Sequence, residues 1–252
     1  KLGQGAQAKV FQVRDLLNDE TRALKIFPQS AAIQNIRDER AAIHSSGVGN
    51  RNIVKVYDIT PTEVGLALPM EFLEGETLTD RLRRTSPDST ETIRWFRDLF
   101  EALVSMHGET HGRPVIHRDI KPSNIMVCDA EDGSDYLVLI DFGIGFIEGN
   151  TPIPAGSVRY RPYSAPADAN EPSLDLFALT VTFHEALTGL HPWDDLEVCK
   201  GPPSLSEELD DEMRELFQRV LSPEGDEQGY QTAAEILEAL DKATGVLPQR
   251  DS

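Results

Sequence analysis

Two short motifs leave this chain few ways to fold. His117-Arg118-Asp119-Ile120-Lys121-Pro122-Ser123-Asn124 and Asp141-Phe142-Gly143 place a candidate base, a candidate phosphate-binding lysine and two oxygen-donating metal ligands within one short span. Phosphoryl transfer from a nucleotide calls for such groups, because the reaction depends on an in-line acceptor and on cations around a charge-rich transition state more than on covalent chemistry. Far upstream, Lys25 lies in the β-rich run Ala23-Leu24-Lys25-Ile26-Phe27. For all of them to act at one point, the polypeptide must close so that an ammonium, two carboxylates and a carboxamide from distant stretches meet around a single triphosphate.

The residue pattern around these motifs changes midway. Val10-Phe11-Gln12-Val13 and Ala23-Leu24-Lys25-Ile26-Phe27 flank Asn18-Asp19-Glu20, a hairpin signal, and residues 53–59 and 64–72 read as two further strands with Thr60-Pro61-Thr62 between them. Residues 31–44 carry Ile33, Ile36 and Ile43 at helical spacing after the start signals Pro28 and Ser30. Beyond Leu73-Glu74-Gly75-Glu76 the pattern turns to long helices. Residues 91–107 place Ile93, Phe96, Leu99, Phe100 and Leu103 on one face, and residues 174–187 are apolar almost all round, which predicts a buried central helix. Ile125-Met126-Val127 and Tyr136-Leu137-Val138-Leu139-Ile140 flank Asp132-Gly133, a hairpin between the two motifs. Residues 213–221 and 232–240 read as the last helices, and from Gly245 onward the composition predicts a frayed tail.

Together with Gly3-Gln4-Gly5-Ala6-Gln7-Ala8-Lys9-Val10, these motifs resemble the eukaryotic-type protein kinase family, the bacterial Ser/Thr kinases in particular, over nearly the whole chain. The resemblance implies an α+β, bilobal protein-kinase-like fold: a small β-rich N-lobe over 1–72 with its first strand truncated, a larger helical C-lobe over 73–248, and a tail over 249–252. It implies an ATP- and Mg²⁺-dependent enzyme transferring the γ-phosphoryl group of ATP to Ser or Thr hydroxyls of proteins. A nucleotide-binding pseudokinase that signals through shape is the alternative, and a small-molecule phosphotransferase of related fold is a third reading. Lys25, Asp119, Asn124 and Asp141 are all retained, against the former; Lys121 and the segment 156–160 weigh against the latter.

By the same resemblance, Gly3, Gly5 and Ala8, the last in place of a third glycine, form the loop over the phosphates, where missing side chains let backbone N–H groups approach the anion. Lys25 binds the α- and β-phosphates and is held by a helix glutamate, Glu39, with Asp38 as the alternative. Met70, Glu71 and Leu73 belong to the gatekeeper and hinge beside adenine; Val10, Ala23 and Met126 enclose the purine, and Thr77 lies near the ribose. Asp119 orients the substrate hydroxyl and accepts its proton. Lys121 neutralises the γ-phosphoryl group and points to Ser or Thr as the acceptor. Asn124 and Asp141 offer hard oxygen ligands to Mg²⁺. His117 packs, Asp175 props the catalytic loop from beneath, and Arg118 is expected to meet a phosphate on the activation segment, at Thr151 or Ser157.

The activation segment departs from the family pattern. Gly156-Ser157-Val158-Arg159-Tyr160 fits the expected turn, but Ala165-Pro166 is followed by Ala167 instead of a glutamate. Gly229-Tyr230-Gln231-Thr232 likewise lacks the arginine that would pair with it. Losing both halves avoids the penalty of about 3–5 kcal/mol for one unpaired buried charge.

The formal net charge of -19 argues against nucleic acid or an anionic membrane surface as a partner. Cys128 and Cys199 stand in no metal-ligand spacing and are expected as buried or incidental thiols of a reducing compartment. No apolar run reaches the roughly 18–20 residues needed to cross a bilayer, and the expected location is the cytoplasm. Because the chain opens at Lys1-Leu2-Gly3, already at the glycine turn, it is expected to be an excerpt of a longer protein. Dimerisation is left open.

Overall fold

The structure is a computed structural model that describes residues 3–4, 9–27, 36–37, 40–41, 43–44, 49–108, 114–142, 146–147, 158–166, 169, 171–193, 199–222 and 229–245, with the backbone alone for 3–4 and 146–147. Gly5, Ala8, Asp38, Glu39, Gly143, Thr151, Gly156, Ser157, Ala167 and the tail beyond Gly245 lie outside the described residues.

β1 (Gly3–Gln4), β2 (Lys9–Arg14), β3 (Thr21–Ile26), β4 (Thr60–Thr62) and β5 (Gly65–Glu71) form a five-stranded sheet in the order β1-β2-β3-β5-β4. All its pairings are antiparallel. The β2–β3 hairpin closes where the sequence predicts it, with Asp19 at φ 62, a left-handed conformation that Asp tolerates in turns. Residues 36–37, 40–41 and 43–44 are helical, and Ile36 and Ile43 are buried.

The expected strand over 53–59 is not one strand. Val56 opposes Met70 and Thr60 opposes Ala67, so the register slips by one residue between them. One extra residue over 57–59 breaks the ladder as a bulge does. The strand that results lies at Thr60–Thr62, where the sequence pattern predicts a turn. Upstream of the bulge the chain serves a second sheet: Ile53 bridges Leu139, Leu139 N–H donates to Asn52 O at 2.8 Å, and the buried Asn52 amide donates to Leu137 O at 2.7 Å.

After β5 the chain leaves the sheet at Phe72 and runs into β6 (Gly75–Thr77) and the short helix α1 (Leu78–Arg84), capped by the Thr77 hydroxyl, which accepts from Asp80 N–H. β6 pairs with β8 (Ile125–Asp129), which pairs with β9 (Asp135–Leu139) through the predicted hairpin. Gly75 sits at φ 156, and a Cβ there would lie 2.0 Å from the Val127 carbonyl oxygen. Gly75→Ala is therefore expected to destabilise the protein by about 2–3 kcal/mol, through a strained backbone and a forced shift of β8. A fall in the urea midpoint at constant slope would register it.

The helical part is built on α3 (Pro172–Thr188), the predicted central helix, in which every residue from Leu174 to His184 is buried. Pro172 starts it and Gly189, at φ 74, ends it in the left-handed conformation. α2 (Ser89–Met106), α4 (Asp211–Leu221) and α5 (Ala233–Thr244) pack around it or one another. Phe96 of α2 stacks on Phe183 of α3 at 4.8 Å, and Phe183 meets Phe217 of α4 at 5.2 Å. Trp95 and Arg94 both donate to Asp135 O, fastening α2 to the start of β9. Short β7 (Val115–Ile116) pairs with β10 (Phe146–Ile147). Among the described residues no helix is long and apolar enough to cross a membrane.

Candidate active site

The hairpin β8–β9 sets the positions of both motifs. Ile125 opposes Leu139, so Asn124 just before β8 and Asp141 just after β9 emerge at the same end of the ladder. Ile140 N–H donates to Asn124 O at 3.0 Å, tying the two segments beyond the last strand pair.

Ahead of Asn124, the loop from His117 to Lys121 is held from below. The fully buried Asp175 carboxylate on α3 accepts His117 N–H at 2.7 Å, Arg118 N–H at 2.8 Å and His107 Nε2 at 3.1 Å. Three donors converge on one carboxylate, which is how an uncompensated charge is tolerated in a core. They also hold Arg118 at φ 69, a conformation that a non-glycine residue rarely adopts without support. His117 packs its ring against Phe142 at 4.3 Å. Its Nε2 donates to Ile140 O at 3.1 Å while Nδ1 accepts Asp119 N–H at 3.3 Å, so the ring is the neutral Nε2–H tautomer.

Asp119 follows directly. Its carboxylate accepts Lys121 Nζ on both oxygens, at 2.8 and 2.7 Å, and Asn124 Nδ2 on Oδ2 at 2.9 Å. Asn124 also donates to Asp119 O at 2.9 Å, across the turn Pro122–Asn124. The base candidate thus has a fixed orientation and two fixed neighbours.

Lys25, 5% exposed on β3, reaches from the other sheet to Asp141 Oδ1 at 2.5 Å. Asp141 is at φ 63 with its side chain 50% exposed. Burial opposes ionisation of this carboxyl, but the surrounding charges and hydrogen bond, those of Lys25 foremost, together hold the pKa below the usual carboxylate range. Phe142 next to it is fully buried.

Of the residues singled out from the sequence, Lys25, Asp119, Lys121, Asn124 and Asp141 are therefore joined through hydrogen bonds or through paired strand ends. Ala23 opposes Met70 across β3–β5, and Met126 opposes Thr77 across β6–β8. Ala23 is buried, while Val10, Met70, Glu71, Leu73 and Met126 are half-buried. Gly3 opposes Val10 in β1–β2. Among the described residues no three His, Cys, Asp or Glu side chains cluster as a self-sufficient metal site. The available protein oxygens, those of Asn124 and Asp141, suit a hard cation that takes its other ligands from phosphate and water.

Sequence reasoning missed His107, the third donor to Asp175. Its place just after α2, on the same face as Leu99 and Leu103, gave a weak signal, because a buried polar residue there needs a hydrogen-bond partner.

A family model described as protein kinase domain matches residues 1–239. The chain is 32% identical to Serine/threonine-protein kinase pkn3 of Myxococcus xanthus, over 77% of this chain and 37% of that protein. It is 30% identical to Serine/threonine-protein kinase PrkC of Bacillus subtilis, over 77% of this chain and 30% of that protein. Putative CBL-interacting protein kinase 13 of Oryza sativa is 32% identical over 58% of this chain and 28% of its own length. The chain spans about a third of the length of these curated relatives. With a family model matched over 1–239 and the motif residues of that family converging at one end of β8–β9, the chain belongs to the protein kinase domain family.

Proposed function

We propose that this domain is a serine/threonine protein kinase that transfers the γ-phosphoryl group of ATP, with Mg²⁺, to the hydroxyl of a protein acceptor. The observation that carries the reading is the joining of two clusters at the open end of β8–β9, Lys25 with Asp141 and Asp119 with Lys121 and Asn124.

Each residue has a task in that reaction. Adenine lies against Val10, Ala23 and Met126, with Met70 as gatekeeper beside it, and pairs with exposed backbone of the hinge at Glu71 and Leu73, where the N-lobe over 1–72 gives way to the C-lobe over 73–248. Backbone N–H groups of the turn containing Gly3, Gly5 and Ala8 approach the phosphates. Lys25 exchanges part of its pairing with Asp141 for the α- and β-phosphates, with Glu39 as its helix partner. Asp141 and Asn124 hold Mg²⁺, whose charge offsets that of the phosphate oxygens when bound. Asp119 orients the acceptor hydroxyl and takes its proton, and Lys121, already at 2.7 Å from that carboxylate, balances the charge on the transferring group.

The test is incubation of the protein with γ-labelled ATP and a generic Ser/Thr-containing acceptor, with Mg²⁺ and with excess chelator. Acid-stable label on serine or threonine is expected only with the metal, and the chelator should lower transfer by more than about 100-fold, as expected when electrostatic stabilisation of the phosphates is lost. Label on neither protein nor chain, with nucleotide still bound, would overturn the reading.

A further inference from the structure

The turn Val158–Tyr160 borders a pocket of about 410 Å³ that Arg159 and Tyr160 line together with α1, residues 86–87, the end of α3 and Pro122, two residues before Asn124. Something must hold that turn, because the sequence places neither of the paired charges expected near Ala167 and Gly229. The Arg159 carbonyl accepts His191 Nε2–H at 2.9 Å and the Cys199 thiol at 2.9 Å, so both lone pairs of one peptide oxygen are occupied. Cys199 also holds the chain four residues on: its carbonyl accepts Tyr163 N–H at 3.2 Å, and it forms a parallel bridge with Pro162. Tyr160 OH donates to Glu185 of α3 at 2.8 Å.

We propose that Cys199 and His191 are positioning residues that fix the Val158–Tyr160 turn as one wall of the acceptor-peptide site, in place of an ion pair. The inference rests on the kinase reading above. Three observations support it. His191 Nε2 faces the Arg159 carbonyl oxygen at 2.9 Å, an acceptor only, so Nε2–H is the donor, while Nδ1 sits 3.2 Å from both the N–H and the carbonyl of Trp193 and anchors the ring there. Cys199 is 1% exposed, and burial pushes its thiol up to about 11, so it is a neutral S–H donor and not a thiolate at physiological pH. The Cys199 main chain grips 162–163 while its side chain grips 159, which fixes the turn and the strand-like segment after it as one unit.

The test compares Cys199→Ala with Cys199→Ser and His191→Ala with His191→Gln; the second member of each pair keeps a donor for the Arg159 carbonyl. The alanine variants are expected to raise KM for a Ser/Thr peptide by roughly 3- to 10-fold, the factor implied by one lost neutral hydrogen bond. KM for ATP should stay unchanged, and the serine and glutamine variants should recover most of the loss. Amide hydrogen exchange over residues 158–163 should quicken by a similar factor in the alanine variants. An unchanged peptide KM and exchange rate in both alanine variants would overturn the proposal, as would serine and glutamine variants impaired as badly as alanine. If the unaltered protein transfers no phosphate, the kinase reading fails, and the exchange rates still decide whether the two side chains hold the turn.

Discussion

Asp119→Asn is expected to lower kcat by roughly 10²- to 10⁴-fold, the range for removing a general base. That corresponds to about 3–5 kcal/mol of transition-state stabilisation. Asparagine has the shape of the carboxylate but lacks both the charge and the capacity to take a proton. Its amide N–H₂ would also face Lys121 Nζ or Asn124 Nδ2, two donors that now meet acceptor oxygens at 2.7–2.9 Å. Nucleotide binding should survive, since Lys25 and Asp141 lie on β3 and beyond β9 and touch neither oxygen of Asp119. A titration of ATP affinity beside steady-state kinetics separates the two effects, because a residue used only in the transition state lowers kcat and kcat/KM together. Retention of more than about a tenth of kcat would deny Asp119 the role of base, since even the weakest general-base contributions exceed that.

The parts of this site that were legible in the sequence are those packed into contiguous runs. Asp119, Lys121 and Asn124 sit within one turn of chain, so their proximity in the structure follows from local geometry. Asp141 was legible at one remove: Asp132-Gly133 predicts a two-stranded return, and the return brings Asp141 back to Asn124. The buried central helix was legible because residues 174–187 lack a polar face. What stayed hidden depends on pairings between distant segments. The one-residue slip between Val56 and Thr60 is set by β5, not by any local signal, and residues 53–59 have the composition of an uninterrupted strand. α1 escaped notice because it is short, carries four charges in Asp80, Arg81, Arg83 and Arg84, and buries only Leu78. Its position comes from ion pairs instead: Arg81 bridges Glu76 and, at 2.5 Å, Asp135. Cys199 reads as a buried or incidental thiol, and it is buried, but what it binds stayed hidden for the same reason. Its partner is a backbone carbonyl 40 residues earlier, and a carbonyl leaves no trace in composition.

Asp175→Ala should be the most damaging change to stability. The carboxylate is fully buried and takes three donors, two of them the backbone N–H groups of His117 and Arg118. Alanine removes every acceptor at once, and the loop cannot turn its amides to solvent without giving up the left-handed conformation at Arg118. Each buried donor left without an acceptor costs about 1–3 kcal/mol, so the two amides alone imply about 2–6 kcal/mol. For a protein of this size that is a fall in Tm of roughly 4–24 °C. Asp175→Asn, which keeps one acceptor oxygen, should fall between wild type and alanine. His107→Ala, which deletes one donor and leaves the carboxylate its two amides, should cost less than either. Calorimetry on the three variants gives the order, and a Tm for Asp175→Ala within 2 °C of wild type would mean that the loop is held by its own turn and by Ile140, with α3 serving only as a floor. Because Asp119 is one residue beyond the second amide, any loosening there should also reach catalysis. An Asp175→Ala protein still folded at low temperature should therefore lose kcat while keeping its affinity for ATP, since Lys25 is held from β3 and not from α3.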